Sequence, residues 1–194
     1  MKNELIMNSL KETMNSYYPL SEITWNELEK ICTIKEINKN SYAFDFNEKI
    51  NAISYVYKGL FRIFAINENG EELNKNFFWE NRIYGDMIAL LSGEETQTSI
   101  QALENSIVVD IQHDKYRELL YKYDDLKMYH ILYLEKHWIF QKDSNKYSLV
   151  LEDAVKRYDR FLKEFGHIEK RLSQYHIAAY LGITPTHLSR IKNI

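Results

Sequence analysis

The sequence is poor in the residue types that constrain small proteins: its 194 residues include one cysteine, two prolines and six glycines. A single cysteine, Cys32, excludes a disulfide within the chain and any zinc ribbon or iron–sulfur cluster that needs several cysteines. No apolar run approaches the roughly 18 residues that cross a membrane, and the N-terminus lacks the apolar segment of a secretion signal. We therefore expect a cytoplasmic protein with no membrane partner.

Charge is distributed unevenly along the chain. The net charge is −3, and residues 156–194 carry eight Lys or Arg against three acidic residues, a net +5. Residues 1–155 therefore carry a net charge of −8. An ordinary solvated surface does not require such a split, whereas a basic tail is typical of segments that contact nucleic-acid phosphates.

The C-terminal segment 172–194 has the pattern of two short helices joined by a tight turn. Gly182 can take the left-handed conformation that ends a helix. Thr184 supplies an N-cap hydroxyl, and Pro185 suits the first position of a new helix. Ala178 is small enough for two helices to cross closely. The pattern predicts a helix-turn-helix whose second helix enters a DNA major groove, although such a hairpin can also simply cap a core.

Apolar spacing separates the two faces of this segment. Leu188 and Ile191 are predicted to pack inward, together with Ile177 and Leu181. The side chains predicted to face outward are Thr186, His187, Ser189, Arg190 and Lys192. This short, polar and basic face is what a major-groove reader needs.

Residues 34–111 consist of short runs rich in Tyr, Phe, Ile and Val, separated by turn residues, which indicates strands. The predicted strands are 41–46, 52–57, 60–66, 73–79, 98–103 and 106–111. Asn69-Gly70 is typical of a β-hairpin because both residues tolerate positive φ. Short strands without helices of crossover length predict an antiparallel barrel or jelly roll.

Helices are predicted on both sides of the strands. Near the N-terminus, Trp25, Leu28 and Ile31 recur at helical spacing. Between 124 and 140, apolar residues form two stripes, one of Leu126, Tyr129, Tyr133 and Phe140 and another of Ile131, Leu134 and Trp138. The first stripe is expected to lie on the barrel. The second requires a partner, for which a second copy of the helix is the simplest source, unless the helix is enclosed within a monomer.

A further amphipathic helix is predicted from 151 to 165. Its apolar residues are Leu151, Ala154, Val155, Tyr158, Phe161, Leu162 and Phe165. Its polar face carries Lys156, Arg157, Arg160 and Lys163, which are candidates for contacts with the DNA backbone.

Barrel, long helix and terminal helix-turn-helix in this order resemble the Crp/Fnr family of bacterial transcription regulators. The resemblance rests on Tyr55-Val-Tyr-Lys-Gly-Leu-Phe-Arg62, Asn69-Gly-Glu-Glu72, Tyr84-Gly-Asp86 and the tail 172–192. It implies an α+β fold, with an N-terminal antiparallel β jelly roll of the cyclic-nucleotide-binding type, a long dimerisation helix and a small C-terminal helix-turn-helix domain. The implied divisions are an effector domain at 1–122, a dimerisation helix and linker at 123–145, and a DNA-binding domain at 146–194.

The resemblance also implies a sequence-specific transcriptional regulator that acts as a homodimer on a palindromic operator, with RNA polymerase as a further partner. It adds Ser173, Gln174 and Thr184 to the DNA-contacting residues. Arg190 is the first candidate for base readout because its guanidinium can bond guanine O6 and N7 together. The sequence stops four residues after Arg190. We therefore expect weak, salt-dependent DNA contacts that depend on dimer symmetry. The alternative on this fold is a small-molecule sensor or dimerisation module that does not bind DNA.

The phosphate-binding segment departs from the family pattern. The family has Gly-Glu near its start and an arginine near its end, whereas this chain has Asp86 for the glutamate and Gln97 or Thr98 for the arginine. Without that cation, a cyclic phosphate loses its bidentate partner, and an acidic barrel repels an anion. We therefore expect no cyclic nucleotide or other cofactor, and at most an unidentified uncharged or aromatic effector. The implied pocket residues are Gly85, Asp86, Met87, Gln97, Thr98 and Ser99.

Jelly rolls also serve as metalloenzymes of the cupin type, which makes an enzyme the competing class. Those sites use closely spaced histidines on inward strands. None of the six histidines lies between 41 and 111, and no His-x-His occurs. We therefore expect no catalytic residues and no metal centre.

Overall fold

The computed structural model describes residues 1–139 and 152–193. The strands are β1 Cys32–Ile37, β2 Tyr42–Phe44, β3 Ala52–Lys58, β4 Phe61–Ile66, β5 Glu72–Phe78, β6 Ile83–Tyr84, β7 Ser99–Ala102 and β8 Ser106–Gln112. The helices are α1 Lys2–Asn15, α2 Glu22–Glu29, α3 Met87–Ser92, α4 His113–Lys122, α5 Asp124–Leu134, α6 Ala154–Phe165, α7 Gln174–Leu181 and α8 Pro185–Ile191. A π-helical turn, Glu135–Ile139, extends α5, and a 3₁₀ turn, Glu169–Arg171, precedes α7.

The strands form two four-stranded sheets with the orders β1-β8-β3-β6 and β2-β7-β4-β5. Every pairing is antiparallel. Fully buried Val56, Phe61, Ile100 and Val108 fill the space between the two sheets. The predicted jelly roll is confirmed.

All six predicted strands are present, and two further strands are not predicted from sequence. β1 begins directly after α2 and is half exposed, so its alternation is weak, and β6 has only two residues. The hairpin at Asn69-Gly70 is confirmed, but of these two residues only Gly70 has a positive φ, +80°. The turn is wider than a two-residue turn because the Asn67 side chain accepts hydrogen bonds from the Asn69 and Glu71 amides.

Helices α1, α2, α4 and α5 pack on the outer face of the first sheet, where α4 contributes Tyr116 and Leu120. α1 and α2 contribute the fully buried Ile6, Leu10, Met14 and Leu28, and α5 contributes the first predicted stripe of Leu126, Tyr129 and Tyr133. In the second stripe, Ile131 is 46% exposed and Leu134 is partly buried. The side chain of Trp138 and all of Phe140 lie outside the described residues. None of the described helices is long and apolar enough to span a membrane.

The last three helices share one core. Phe161, Phe165, Ile177, Ala178 and Leu188 are all buried in it, as the sequence predicts. The prediction for Val155 is wrong, because this side chain is 43% exposed. Leu151 lies outside the described residues. Barrel residues Leu60, Phe77 and Leu103 join the same core, so the C-terminal helices pack directly on the barrel.

Candidate functional site

The helix-turn-helix is built by the local interactions that its sequence predicts. The Ser173 hydroxyl caps α7 by accepting from the His176 amide at 3.2 Å, and Thr184 caps α8 by accepting from the His187 amide at 3.2 Å. Gly182 ends α7 in the left-handed conformation, with φ +65°. These caps satisfy amides that would otherwise lack partners, and they fix the angle at which α8 leaves α7.

The outer face of α8 is open to solvent. Thr186, His187 and Arg190 are exposed, and Ser189 is partly buried. Within the described part of the chain, the Arg190 guanidinium makes no ion pair, so its donors remain available to a ligand. Ser173, Gln174 and Thr184 are exposed nearby. The two capping hydroxyls each still have a proton to donate.

Several basic side chains of the tail bind other parts of the protein instead. The Lys192 ammonium lies 2.6 Å from a Glu169 carboxylate oxygen, and this hydrogen bond raises the pKa of Lys192. Arg160 pairs with Glu152 at 2.7 Å. Arg157 donates to the Glu152 and Leu181 carbonyl oxygens at 2.6 and 3.1 Å. Both arginines line a cavity, which differs from the outward, DNA-facing position predicted for them.

Arg171 links the basic tail to the acidic barrel. Its guanidinium donates to both carboxylate oxygens of Glu80 at 2.8 and 2.9 Å, and to both of Glu104 at 2.9 and 2.7 Å. Glu80 also accepts from the Gly59 amide at 2.8 Å. Partial burial raises the pKa of Glu80, but these hydrogen bonds outweigh it and hold the pKa below its usual value. Arg171, one of the basic residues of the tail, therefore binds the C-terminal segment to two acidic residues of the barrel.

Removing this attachment has a measurable effect. We expect Arg171→Gln to lower the free energy of unfolding by about 1 kcal/mol, because the three side chains are about one-third exposed and solvent screens their attraction. Urea unfolding measures the change, and the difference from the unmodified protein shrinks at high salt. Lys156→Gln, which breaks a more exposed pair with Asp153, serves as the control and is expected to cost less than about 0.5 kcal/mol. Equal effects of the two substitutions would argue against the attachment.

Helix α7 lies against strand β5. The Asn74 amide group donates to the His176 carbonyl at 2.8 Å. The Phe77 ring lies 5.5 Å from the Phe165 ring and 5.6 Å from the Tyr180 ring, measured between centroids. The contact between the barrel and the C-terminal helices is therefore aromatic at its centre, and Arg171 binds barrel carboxylates in the same contact.

Segment 85–99, which corresponds by resemblance to the family's phosphate-binding loop, is held together by hydrogen bonds among its own polar groups. Asp86 caps α3 by accepting from the Ile88 and Ala89 amides, and it also accepts from the Thr96 and Thr98 hydroxyls at 2.7 and 2.9 Å. Partial burial raises the pKa of Asp86, but the hydrogen bonds outweigh this effect and hold the pKa below its usual value. The carboxylate therefore stays charged. Asp86 therefore organises the loop that a phosphate occupies in cyclic-nucleotide binders.

Only half of the predicted effector pocket comes together. Gly85, Asp86 and Met87 line one cavity. Gln97 faces solvent and Thr98 is bound to Asp86, while Ser99 is buried and donates to Asp45 at 2.5 Å. The remaining walls come from elements that the family motif does not include.

This cavity has a volume of about 450 Å³. It is bounded by the barrel, by α4 and α5, and by α6 and α7, so it touches both the barrel and the C-terminal helices. Its basic side chains are Lys75, Arg82, Arg117, Arg157 and Arg160, and its acidic ones are Asp86 and Glu164. Burial raises the pKa of Glu164 above its ordinary value. The expected repulsion of anions is therefore wrong for this cavity, because its lining is basic although the barrel as a whole is acidic.

Comparison with known proteins agrees with this architecture. Residues 34–123 match the family model of the cyclic nucleotide-binding domain. FixK2 from Bradyrhizobium japonicum is 17% identical, with a TM-score of 0.73 over 84% of this chain and 83% of that chain. CLP from Xanthomonas campestris, described as a c-di-GMP-responsive global regulator, is 15% identical. Its TM-score is 0.70 over 89% of this chain and 90% of that chain. No curated protein sequence matches the chain.

A Crp/Fnr family transcriptional regulator from Eubacterium rectale is also similar, with 14% identity and a TM-score of 0.70 over 92% of this chain and 86% of that one. These three structures align with most of the length of this chain and therefore share its fold. The fold resemblance drawn from the motifs is confirmed. Residues 34–123 are therefore similar to the cyclic nucleotide-binding domain, and the chain has the fold of these Crp/Fnr-type structures.

Proposed function

We propose that the protein is a sequence-specific DNA-binding transcriptional regulator. The observation that carries this proposal is the capped helix-turn-helix, whose second helix presents Thr186, His187 and Arg190 to solvent. A sensor or dimerisation module without DNA binding has no need of an exposed guanidinium on that face. We propose base readout by Arg190 and phosphate contacts by the neighbouring hydroxyls.

The protein acts in this proposal as a cytoplasmic homodimer. Two recognition helices then enter successive major grooves of a palindromic site, about 34 Å apart. The effector domain comprises residues 1–122, the dimerisation helix and linker 123–145, and the DNA-binding domain 146–194; the junction at 145 falls outside the described residues. RNA polymerase is a further proposed partner, and no enzymatic activity is proposed.

The exposed stripe of α5 supports the dimer. Met128 and Ile131 are 39% and 46% exposed, although they lie on a helix whose opposite side is fully packed. Burying this stripe against a second copy removes apolar surface from water. In a two-fold dimer the two DNA-binding domains lie on opposite sides of the axis and at the same end of the dimer, where one duplex can reach both.

Ile131→Asp is expected to convert the dimer to a monomer, because a buried carboxylate at the interface lacks a partner. Sedimentation velocity at micromolar concentration measures the change. Ile23→Asp, at an exposed apolar site on α2, is the matched control and should remain dimeric. A dimer that survives Ile131→Asp unchanged would place the interface elsewhere.

DNA binding is tested by fluorescence anisotropy with a labelled duplex of mixed sequence at several salt concentrations. We expect the binding constant to fall with salt along a log–log line whose slope is about −0.9 for each phosphate contacted. Failure to bind at low salt, or binding that salt does not weaken, would count against the proposal.

A further inference from the structure

A buried histidine without a partner lies in the wall of the cavity. His113, the first residue of α4, is 4% exposed. Neither of its ring nitrogens has a hydrogen-bond partner among the described residues. A carboxylate oxygen of the exposed Asp114 lies 3.8 Å from Nδ1, beyond hydrogen-bond range. Tyr129 also lines the cavity and has a buried hydroxyl without a partner in the described structure.

Such groups are rare in folded proteins, because burial removes the water that would otherwise bind them. His113 lines a cavity of about 450 Å³, so a polar molecule bound in that cavity is the nearest candidate partner for its ring nitrogens. Within the described residues, the cavity therefore has room for a ligand, and His113 in its wall lacks a hydrogen-bond partner.

The charge beside His113 identifies the kind of group that would bind. Arg117 lines the same cavity, and its guanidinium donates to the Tyr121 hydroxyl at 3.1 Å. No carboxylate among the described residues forms an ion pair with Arg117. His130 also lines the cavity and contacts the Tyr116 hydroxyl at 3.2 Å.

Burial favours the neutral form of the two histidines. Burial lowers the pKa of His113, an effect that Asp114 opposes and Arg117 reinforces. Burial and Arg117 also lower the pKa of His130. Arg117 therefore supplies one full positive charge, and each neutral ring has one N–H donor. This combination suits a singly charged carboxylate better than a doubly charged phosphate.

Much of the remaining wall is apolar. Ile53, Ile83, Met87 and Leu134 line the cavity between its basic side chains. The other arginines bind groups of the protein: Arg82 contacts His137 at 2.6 Å, and Arg160 pairs with Glu152. We propose that the cavity binds a small monocarboxylic acid with an apolar body, whose carboxylate is held by Arg117 and His113.

An effect of the bound acid on DNA binding rests on the proposed function. Because the cavity is bounded by both the barrel and the DNA-binding helices, an acid bound there would favour one arrangement of the two. The binding itself involves no DNA. Its test is therefore independent of whether the protein recognises an operator.

Isothermal titration of the full chain with octanoate, 1-octanol and octylamine tests the inference, because these probes share an apolar body and differ in charge. We expect octanoate to bind at least about tenfold more tightly than octanol, and octylamine to bind most weakly. Equal affinity for octanoate and octanol, or no binding of any of the three, would overturn the proposal.

Substitutions on one helix then locate the carboxylate. Arg117→Gln should weaken octanoate binding about tenfold and leave octanol binding unchanged. Lys115→Gln removes the same charge from an exposed position two residues away and should change neither. His113→Leu should lower octanoate affinity without lowering octanol affinity. Equal effects of Arg117→Gln and Lys115→Gln would show nonspecific attraction and overturn the assignment.

Discussion

Arg190→Ala is expected to weaken binding to the preferred DNA site by about 1–3 kcal/mol, or roughly fivefold to 150-fold, with relaxed discrimination at one base position of each half-site. The guanidinium is exposed on α8 and has no ion pair among the described residues, so its removal leaves the fold intact. Anisotropy titrations against the preferred site and against single-base variants of it measure both effects.

Lys163→Ala is the matched control for that experiment. Lys163 is exposed on α6 and carries the same charge, but it lies outside the recognition helix. We expect this substitution to weaken binding to all DNA sequences to the same, small extent. If Arg190→Ala also weakened every sequence equally, Arg190 would contact phosphate and base readout would belong to other residues.

Phe77→Ala is expected to lower the free energy of unfolding by about 3–5 kcal/mol. This ring is 1% exposed and lies between the barrel and the aromatic side chains of the C-terminal helices. Truncation leaves a cavity in the core that the two halves share. Urea unfolding followed by far-UV circular dichroism measures the loss.

The effect should reach beyond stability, because Phe77 is a main contact through which the barrel holds α6 and α7. We expect limited proteolysis to release the C-terminal helices from Phe77→Ala at denaturant concentrations that leave the barrel folded. Phe46→Ala removes the same side chain from a position that is 43% exposed and should cost less than about 1 kcal/mol. Comparable losses for both would mean that the shared core is not a major source of stability.

The fold follows from local patterns that need no tertiary information. Alternation of apolar residues identifies six of the eight strands, and the cap residues Thr184 and Gly182 locate the helix-turn-helix. β6 escapes prediction because two residues cannot show a period. The regular spacing of buried Ile6, Leu10 and Met14 would have identified α1 as a separate helix.

The binding partner of each charged side chain is less predictable, because the partners are distant in sequence and meet only in the folded chain. Net charge indicates a basic tail, but only the structure shows that Arg171 binds two barrel carboxylates, and that Arg157 and Arg160 line an internal cavity. In the sequence, His113 resembles a surface or packing residue. Its burial without a partner depends on β8, α4 and α5 meeting at one point.

The most direct test of the central claim is a selection of bound duplexes from a random pool with the purified protein, followed by sequencing. A DNA-reading homodimer predicts an enriched motif with two-fold symmetry, whose half-sites lie one helical turn, about 34 Å, apart. A pool that shows no enriched motif after repeated rounds would contradict sequence-specific binding, and with it the proposal that this protein is a transcriptional regulator.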